Sequence, residues 1–304
     1  MSDLSRRTLL AAAAAASLMT PALAQTGTPI LKRRVPQTGF MLPVIGIGTS
    51  QVFEFEDNSP ALEERKQVVR NLVAGGGSLI DTAAGYGSAE MNVGLVVGDT
   101  GLRPKLFLAT KFSSRDSHEE AETELRQSMG RLGTDTIDLQ QAWNVNNPNF
   151  STAQMKAWKA AGKCKHYGIT SSFDSAYEAL AAVVKREKPE FFQINYSLGD
   201  RDAEKVLLPL AQDSGCAVLT NLPFGRNSMF KRVAGKPIPD WAKEIGCTSF
   251  AQIFLKYNLS HPAVTAVIPG TDKPQYMLDN LNAGRGPMPD AAFRRRIEQW
   301  WDTV

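Results

Sequence analysis

Three side chains in the first half of the chain are of types that move protons: a carboxylic acid at Asp81, a phenol at Tyr86 and an amine at Lys111. Asp81 opens the stretch Asp81-Thr82-Ala83-Ala84-Gly85-Tyr86-Gly87 and follows a short run, residues 78–80, that reads as a buried strand. Lys111 stands at the end of a second such run, Leu106-Phe107-Leu108-Ala109-Thr110. Side chains at the carboxyl ends of neighbouring parallel strands converge on one mouth, so the three are expected to meet. An ammonium held near a phenol favours the phenolate, and a carboxylate on the far side keeps the lysine charged, which makes the tyrosine a usable proton donor near neutral pH. The plainer reading of the same residues is a structural ion pair beside a loop aromatic.

Positioning them requires strands and helices in regular alternation. Strand ends are expected at Asp81, Lys111, Ala142, Ser171, Tyr196, Asn221 and Ile268. Helical spacing falls between them, for example over 62–73, where Gly75-Gly76-Gly77 ends the run, and over 119–132, 175–186 and 203–212. A first strand over 44–48 brings the total to the eight that close a parallel α/β barrel, a (β/α)8 fold. A doubly wound open sheet is the rival topology. It normally carries a glycine-rich phosphate fingerprint, and Gly46-Ile47-Gly48-Thr49-Ser50 lacks the third glycine and the helix start. Small residues there would still let a ligand approach the backbone. Residues 31–43, with a Gln37-Thr38-Gly39 turn, read as a hairpin closing the barrel bottom. The last helix, over 290–301, is expected to solvate Arg294-Arg295-Arg296 and pack Trp300-Trp301.

The beginning of the chain reads as an address rather than as fold. Ser5-Arg6-Arg7-Thr8-Leu9-Leu10 sets paired arginines before an alanine-rich run, and Ala22-Leu23-Ala24 is a plausible cleavage site before Gln25. The expectation is a twin-arginine signal peptide over 1–24, engaging the twin-arginine export machinery, and a single barrel domain over 25–304, periplasmic or otherwise exported. Such export moves folded proteins, so a nucleotide cofactor could be acquired in the cytoplasm. An alanine-rich surface helix or a membrane anchor is the alternative; the run is short of the about 20 residues a span needs, so no stable membrane insertion is expected after cleavage. The whole chain is 43% hydrophobic and 21% charged, with net charge +3, the composition of an ordinary globular protein with nothing that points to nucleic acid. Cys164, Cys216 and Cys247 are odd in number and without metal-like spacing, so buried free thiols are expected and no metal site.

D-T-A-x-x-Y-G followed by x-A-T-K resembles the aldo-keto reductase family, whose members are single-domain barrels that use NADP(H) to reduce carbonyls with an Asp, Tyr, Lys and His tetrad. The resemblance implies catalytic roles for Asp81, Tyr86 and Lys111. It departs at the fourth strand, Asp138-Leu139-Gln140-Gln141-Ala142-Trp143-Asn144, where the family's D-L-x-x-I-H-W places the histidine on Trp143, or on Asn144 after a one-residue slip. An indole only donates a hydrogen bond and never titrates, so Trp143 could orient a carbonyl oxygen but not relay a proton. His118 and His166 are expected too far away to substitute.

Thr49 stands where the small residues of the first strand's end let a cofactor come close, and the resemblance implies Thr170 and Ser171 in place of the family's G-V-S-N-F and Gln193 as the carboxamide-binding glutamine. Asn221 stands where a tyrosine usually stacks on nicotinamide. Pro223, Gly225 and Arg226 follow, in a loop suited to a pyrophosphate. Gly270, Thr271, Lys273 and Asn280 belong to the I-P-G-T loop that holds the adenosine phosphate. Strong NADP binders often carry lysine and arginine where Gly270 and Tyr276 stand, which leaves NAD(H) open beside NADP(H). The expected function is hydride exchange between nicotinamide and a carbonyl or alcohol, in an open pocket for bulky substrates. The other readings are a nucleotide- or metabolite-binding barrel acting as a sensor or partner protein without turnover, and an oxidoreductase that recycles a tightly held cofactor between two substrates.

Overall fold

The computed structural model describes residues 28–56 and 59–304; the expected leader over 1–24 lies outside the described residues. A hairpin comes first, β1 (Lys32–Arg34) paired antiparallel with β2 (Met41–Pro43). Eight parallel strands follow in order: β3 (Ile47–Gly48), β4 (Leu79–Asp81), β5 (Phe107–Ser113), β6 (Ile137–Trp143), β7 (Cys164–Thr170), β8 (Phe191–Asn195), β9 (Ala217–Asn221) and β10 (Val264–Val267). The ends meet, because the Gly46 N–H donates to the Val267 carbonyl at 2.9 Å, Gly48 to Pro269 at 3.1 Å and Val267 to Val44 at 2.9 Å. The sheet is therefore a closed barrel and not the open, doubly wound alternative.

Helices α1 (Ala61–Ala74), α2 (Ala89–Thr100), α3 (His118–Leu132), α4 (Ala153–Ala160), α5 (Tyr177–Glu187), α6 (Leu207–Asp213), α7 (Ser228–Arg232), α8 (Phe250–Ser260), α9 (Pro274–Ala283) and α10 (Ala291–Thr303) complete the chain. Local chemistry marks several of their ends. Ser117 accepts from the Glu120 N–H while Glu120 accepts from the Ser117 N–H, a reciprocal cap that starts α3. The expected helix over 203–212 is broken: a single 3-10 turn, Asp202–Glu204, precedes α6. Pro209 is the reason. In a continuous helix its ring would meet the carbonyl of Lys205, whereas as the third residue of α6 it needs no donor.

Alternation along the strands sorts the barrel interior into layers, since residues two apart share a face. Leu79, Phe107, Leu139, Phe191, Ala217 and Leu219 form one buried apolar cluster with Val35 and Leu42 of the hairpin, which plugs the bottom. Phe40 of the same hairpin stacks on Phe107 at 5.4 Å and lies 5.7 Å from His166, fixing that histidine at the bottom. Gly168 is small because a Cβ there would stand 2.8 Å from the Phe191 carbonyl. Moving toward the top, the same faces carry Asp81, Lys111, Gln141, Gln193 and Asn221. The layer under the mouth is polar by register, not by accident of a loop.

The C-terminal helix differs from expectation at one residue. Arg294 is buried, donating to the Tyr257 carbonyl at 2.6 Å, to Ser260 Oγ at 2.7 Å and to the Tyr196 hydroxyl and Glu204 at 2.7 Å each. Arg295 and Arg296 stay exposed and Trp301 packs, as the pattern implied. All three cysteines are buried and free, and burial pushes their thiols up to about 12, which leaves them protonated and inert at neutral pH.

Candidate active site

Asp81 ends β4 and Lys111 lies inside β5, next to it in the sheet; each is 2% exposed. Lys111 Nζ donates to Asp81 Oδ2 at 2.6 Å and to the Thr82 carbonyl at 2.7 Å. Two amides complete the carboxylate's shell: Gln141 Nε2 donates to Oδ1 and Gln193 Nε2 to Oδ2, both at 3.2 Å. Gln141 went unnoticed in the sequence, although the strand's two-residue period puts it on the inward face between Leu139 and Trp143. Burial pulls the Lys111 pKa down, but the adjoining Asp81 carboxylate and Tyr86 phenol outweigh it and hold it above the ordinary lysine value.

Tyr86 is half-buried on the loop after β4, and Lys111 Nζ sits 4.9 Å from its ring centroid. Trp143 meets Tyr86 edge-on, with centroids 5.6 Å apart and planes at 83°. A Cβ at Gly85 would come within 2.4 Å of the indole, so this position is left to glycine to let the ring lie there. Asn144 turns aside with φ at +57° as the strand ends. Trp143, not Asn144, therefore faces the mouth where the family's histidine was expected.

Above these groups lies a cavity of about 390 Å³, walled by Asp81, Tyr86, Trp143, Gln193, Asn221 and Arg226 together with Thr49, Gly270 and four residues that sequence reading missed, Ser50, Gln51, Glu54 and Ser172. A second cavity, of about 590 Å³, shares Gly270 with it and runs between Phe224, Phe230, Phe250, Tyr276 and Asn280. Thr170 and Ser171 are both buried, Ser171 Oγ accepts from the Phe173 N–H at 3.2 Å, and Ser172 is the hydroxyl of that strand's end that lines the cavity. Asn221 donates to Asn195 Oδ1 and Asn195 to the Ser172 carbonyl, both at 2.9 Å, which ties three strand ends together.

The loop after β9 has Leu222, Gly225, Arg226 and Asn227 all at positive φ, with Pro223 buried beneath it and Arg226 exposed at the cavity. At the far loop, Thr271 is fully buried, its hydroxyl donating to the Pro269 carbonyl and accepting from Asn280, both at 3.1 Å. Lys273 points elsewhere: both Glu64 oxygens lie 2.8 Å from its Nζ. Thr271 and Lys273 thus hold the loop rather than offering free donors.

A closed parallel barrel with an Asp, Lys and Tyr set at the carboxyl ends of adjacent strands is the architecture of a barrel oxidoreductase. The family model described as "Aldo/keto reductase family" matches residues 44–300, and the chain belongs to that family. It is 32% identical over 239 residues to a methylglyoxal reductase of Escherichia coli, covering 74% of this chain and 80% of that protein. Identity is 26% over 278 residues to a morphine 6-dehydrogenase of Pseudomonas putida, covering 86% and 88%. Among solved structures, an aldo-keto reductase from Klebsiella pneumoniae in complex with NADPH superposes with a TM-score of 0.76 at 23% identity, covering 90% of this chain and 96% of that one.

Replacing Lys111 by methionine leaves the Asp81 charge buried against two amides alone, and is expected to cost about 3–5 kcal/mol in urea unfolding. Since the folded lysine titrates above its unfolded value of about 10.4, the difference between wild type and Lys111→Met is expected to be constant across neutral pH and to shrink only as pH rises through the higher folded value. A difference that already shrinks below pH 9 contradicts the reading of a charged, paired lysine.

Proposed function

We propose that the protein is an NADP(H)-dependent oxidoreductase that reduces an aldehyde or ketone, or oxidises the corresponding alcohol, with Tyr86 as the proton donor. The observation that carries this is the Lys111 ammonium, fixed by Asp81 on one side and set against the Tyr86 ring on the other, under an open cavity. The residues present fit a dinucleotide. Thr49 Oγ1, Gln193 Oε1 and Asn221 Oδ1 are buried without a hydrogen-bond partner on residues that line the cavity, which is the pattern of groups set to bind a polar ring. Gln193 and Thr49 would orient the nicotinamide, Arg226 with Gly225 would meet the pyrophosphate, and the aromatic-walled cavity beyond Gly270, with Asn280, would take the adenosine.

The dinucleotide, when bound, supplies or accepts hydride at the carbonyl carbon. Tyr86 gives its proton to the carbonyl oxygen, and the adjacent ammonium of Lys111 stabilises the phenolate left behind. Asp81 keeps Lys111 in place, and Gln141 and Gln193 keep Asp81 from turning. Trp143 narrows the mouth and, as an indole that never titrates, takes no part in proton transfer. Tyr86→Phe is expected to lower kcat for NADPH-dependent aldehyde reduction by 10²-fold or more, the scale of general acid catalysis, while NADPH still quenches tryptophan fluorescence. Equal turnover in the two proteins would refute the assignment; binding without turnover in the wild type against a broad carbonyl panel would favour the sensor reading.

Cofactor choice turns on Lys273, which the Glu64 carboxylate occupies. Glu64→Gln is expected to free that ammonium and lower KM for NADPH several-fold while leaving KM for NADH within about twofold, because only NADPH brings a phosphate for it to pair with. A parallel change in both constants would remove Lys273 from the cofactor's reach.

Export by the twin-arginine route is also proposed, on the leader sequence alone. The precursor is expected to accumulate in the cytoplasm of a host lacking that machinery and to be processed to a periplasmic form in its parent; periplasmic recovery from both would overturn it.

A further inference from the structure

Glu54 is the one carboxylate at the cavity that neither the sequence pattern nor the proposed chemistry employs. It lies in the loop after β3 and shares the cavity wall with Tyr86, Trp143 and Asp81. Its position is set. Oε1 accepts from the Gln51 N–H at 2.7 Å, within a turn whose Gln51 has φ at +65°, and Oε2 leans over the tyrosine-bearing loop so closely that a Cβ on Gly87 would stand 3.2 Å from it. Among the described residues Glu54 makes no ion pair, whereas the Asp81 charge is matched by Lys111. Arg226 is the cation on this wall, and in the reading above it meets a pyrophosphate. Glu54 is therefore the charge that remains for the substrate end.

Trp143 supplies the other half of the argument. Its indole lines the same cavity, held edge-on to Tyr86 and seated against Gly85. A carboxylate and a tryptophan lining one open space are two groups that together suit an alkylammonium, the first by charge and the second by the π-electrons of its indole. They do little for an apolar or anionic tail. We infer that the carbonyl or alcohol substrate carries a cationic amine or quaternary ammonium group, held between Glu54 and Trp143 while its oxygen faces Tyr86. This inference rests on the reductase reading and names the substrate class of that same site. It also gives a physical reason for the tryptophan at the position where the family's histidine was expected, because an imidazolium there would repel the substrate that an indole attracts.

The test compares a trimethylammonio-substituted butanal with its neutral tert-butyl isostere, two aldehydes of the same shape that differ in charge far from the carbonyl. The quantity read is the ratio of kcat/KM, cationic over neutral, in each variant. In the wild type the ratio is expected to exceed one and to fall with added salt. Glu54→Gln keeps an oxygen for the Gln51 N–H and is expected to lower the ratio about fivefold, equivalent to about 1 kcal/mol. Glu54→Lys should invert the preference, and Trp143→Leu should lower the ratio without inverting it. A ratio that Glu54→Gln leaves unchanged overturns the inference, as does a wild type that prefers the neutral aldehyde. Should neither aldehyde turn over while other carbonyls do, the substrate class is wrong and the reductase reading stands. Should no carbonyl turn over, the reductase reading fails separately, and calorimetric titration with the trimethylammonio alcohol decides the cation site: binding to wild type but not to Glu54→Lys upholds it, and no binding to either overturns it.

Discussion

Burying a carboxylate and an ammonium together is costly unless every lone pair and proton finds a partner, and the top of this barrel is organised around meeting that condition for Asp81 and Lys111. The pair is nearly inaccessible, 2% for each residue, and 2.6 Å long. Its further partners come from three positions: Thr82 on the loop, Gln141 on β6 and Gln193 on β8. No single element could supply them. Only a closed sheet, in which β4, β5, β6 and β8 all aim alternate residues at one axis, brings two amides to a carboxylate from strands separated by more than fifty residues in the chain.

That dependence explains which parts of the site were legible from sequence. Asp81 and Lys111 were readable because each ends or nearly ends an apolar run, and hydrophobic period is the strongest local signal a strand carries. The hairpin, the closed barrel and most helices follow from the same periodicities with turn and cap residues at their ends. Gln141 was not readable in the same way. Within Asp138-Leu139-Gln140-Gln141 two identical amides sit side by side, and only the register with β5 and β7 shows that Gln141 faces Asp81 while Gln140 faces outward. The choice between Trp143 and Asn144 was open for a related reason: a one-residue slip exchanges the faces of a strand, and the left-handed turn at Asn144 that settles it is a backbone property with no firm sequence mark.

Loops were the least legible. Ser50, Gln51 and Glu54 lie in a segment without hydrophobic period, so nothing local tells that it folds over the mouth. Thr170 and Ser171 fit a motif by residue type, yet the hydroxyl that reaches the cavity is Ser172, one position further. Lys273 likewise has the charge a phosphate needs, but Glu64, more than two hundred residues earlier, claims it. Arg294 was read as a solvated member of a basic run, whereas its fork joins α10 to α8, to Tyr196 just after β8 and to the turn carrying Glu204. For Lys273 and Arg294 residue type was right and a partner remote in sequence decided the role.

Satisfied and unsatisfied polar atoms divide the site into a scaffold and a binding face. Asp81, Lys111, Asn195 and Thr271 have their hydrogen bonds filled from within the protein, so they fix positions and offer little to a ligand. Thr49 Oγ1, Gln193 Oε1 and Asn221 Oδ1 do not, and each buried polar atom left in that condition costs about 1–3 kcal/mol. Gln193 shows both faces in one side chain: its nitrogen steadies Asp81 while its oxygen is kept for something else. A ligand that pairs with those three oxygens recovers the deficit and stabilises the fold in proportion to its concentration over Kd. The two ends of this amide are linked, because whatever pairs with Gln193 Oε1 also bears on the nitrogen that holds the Asp81 carboxylate against Lys111.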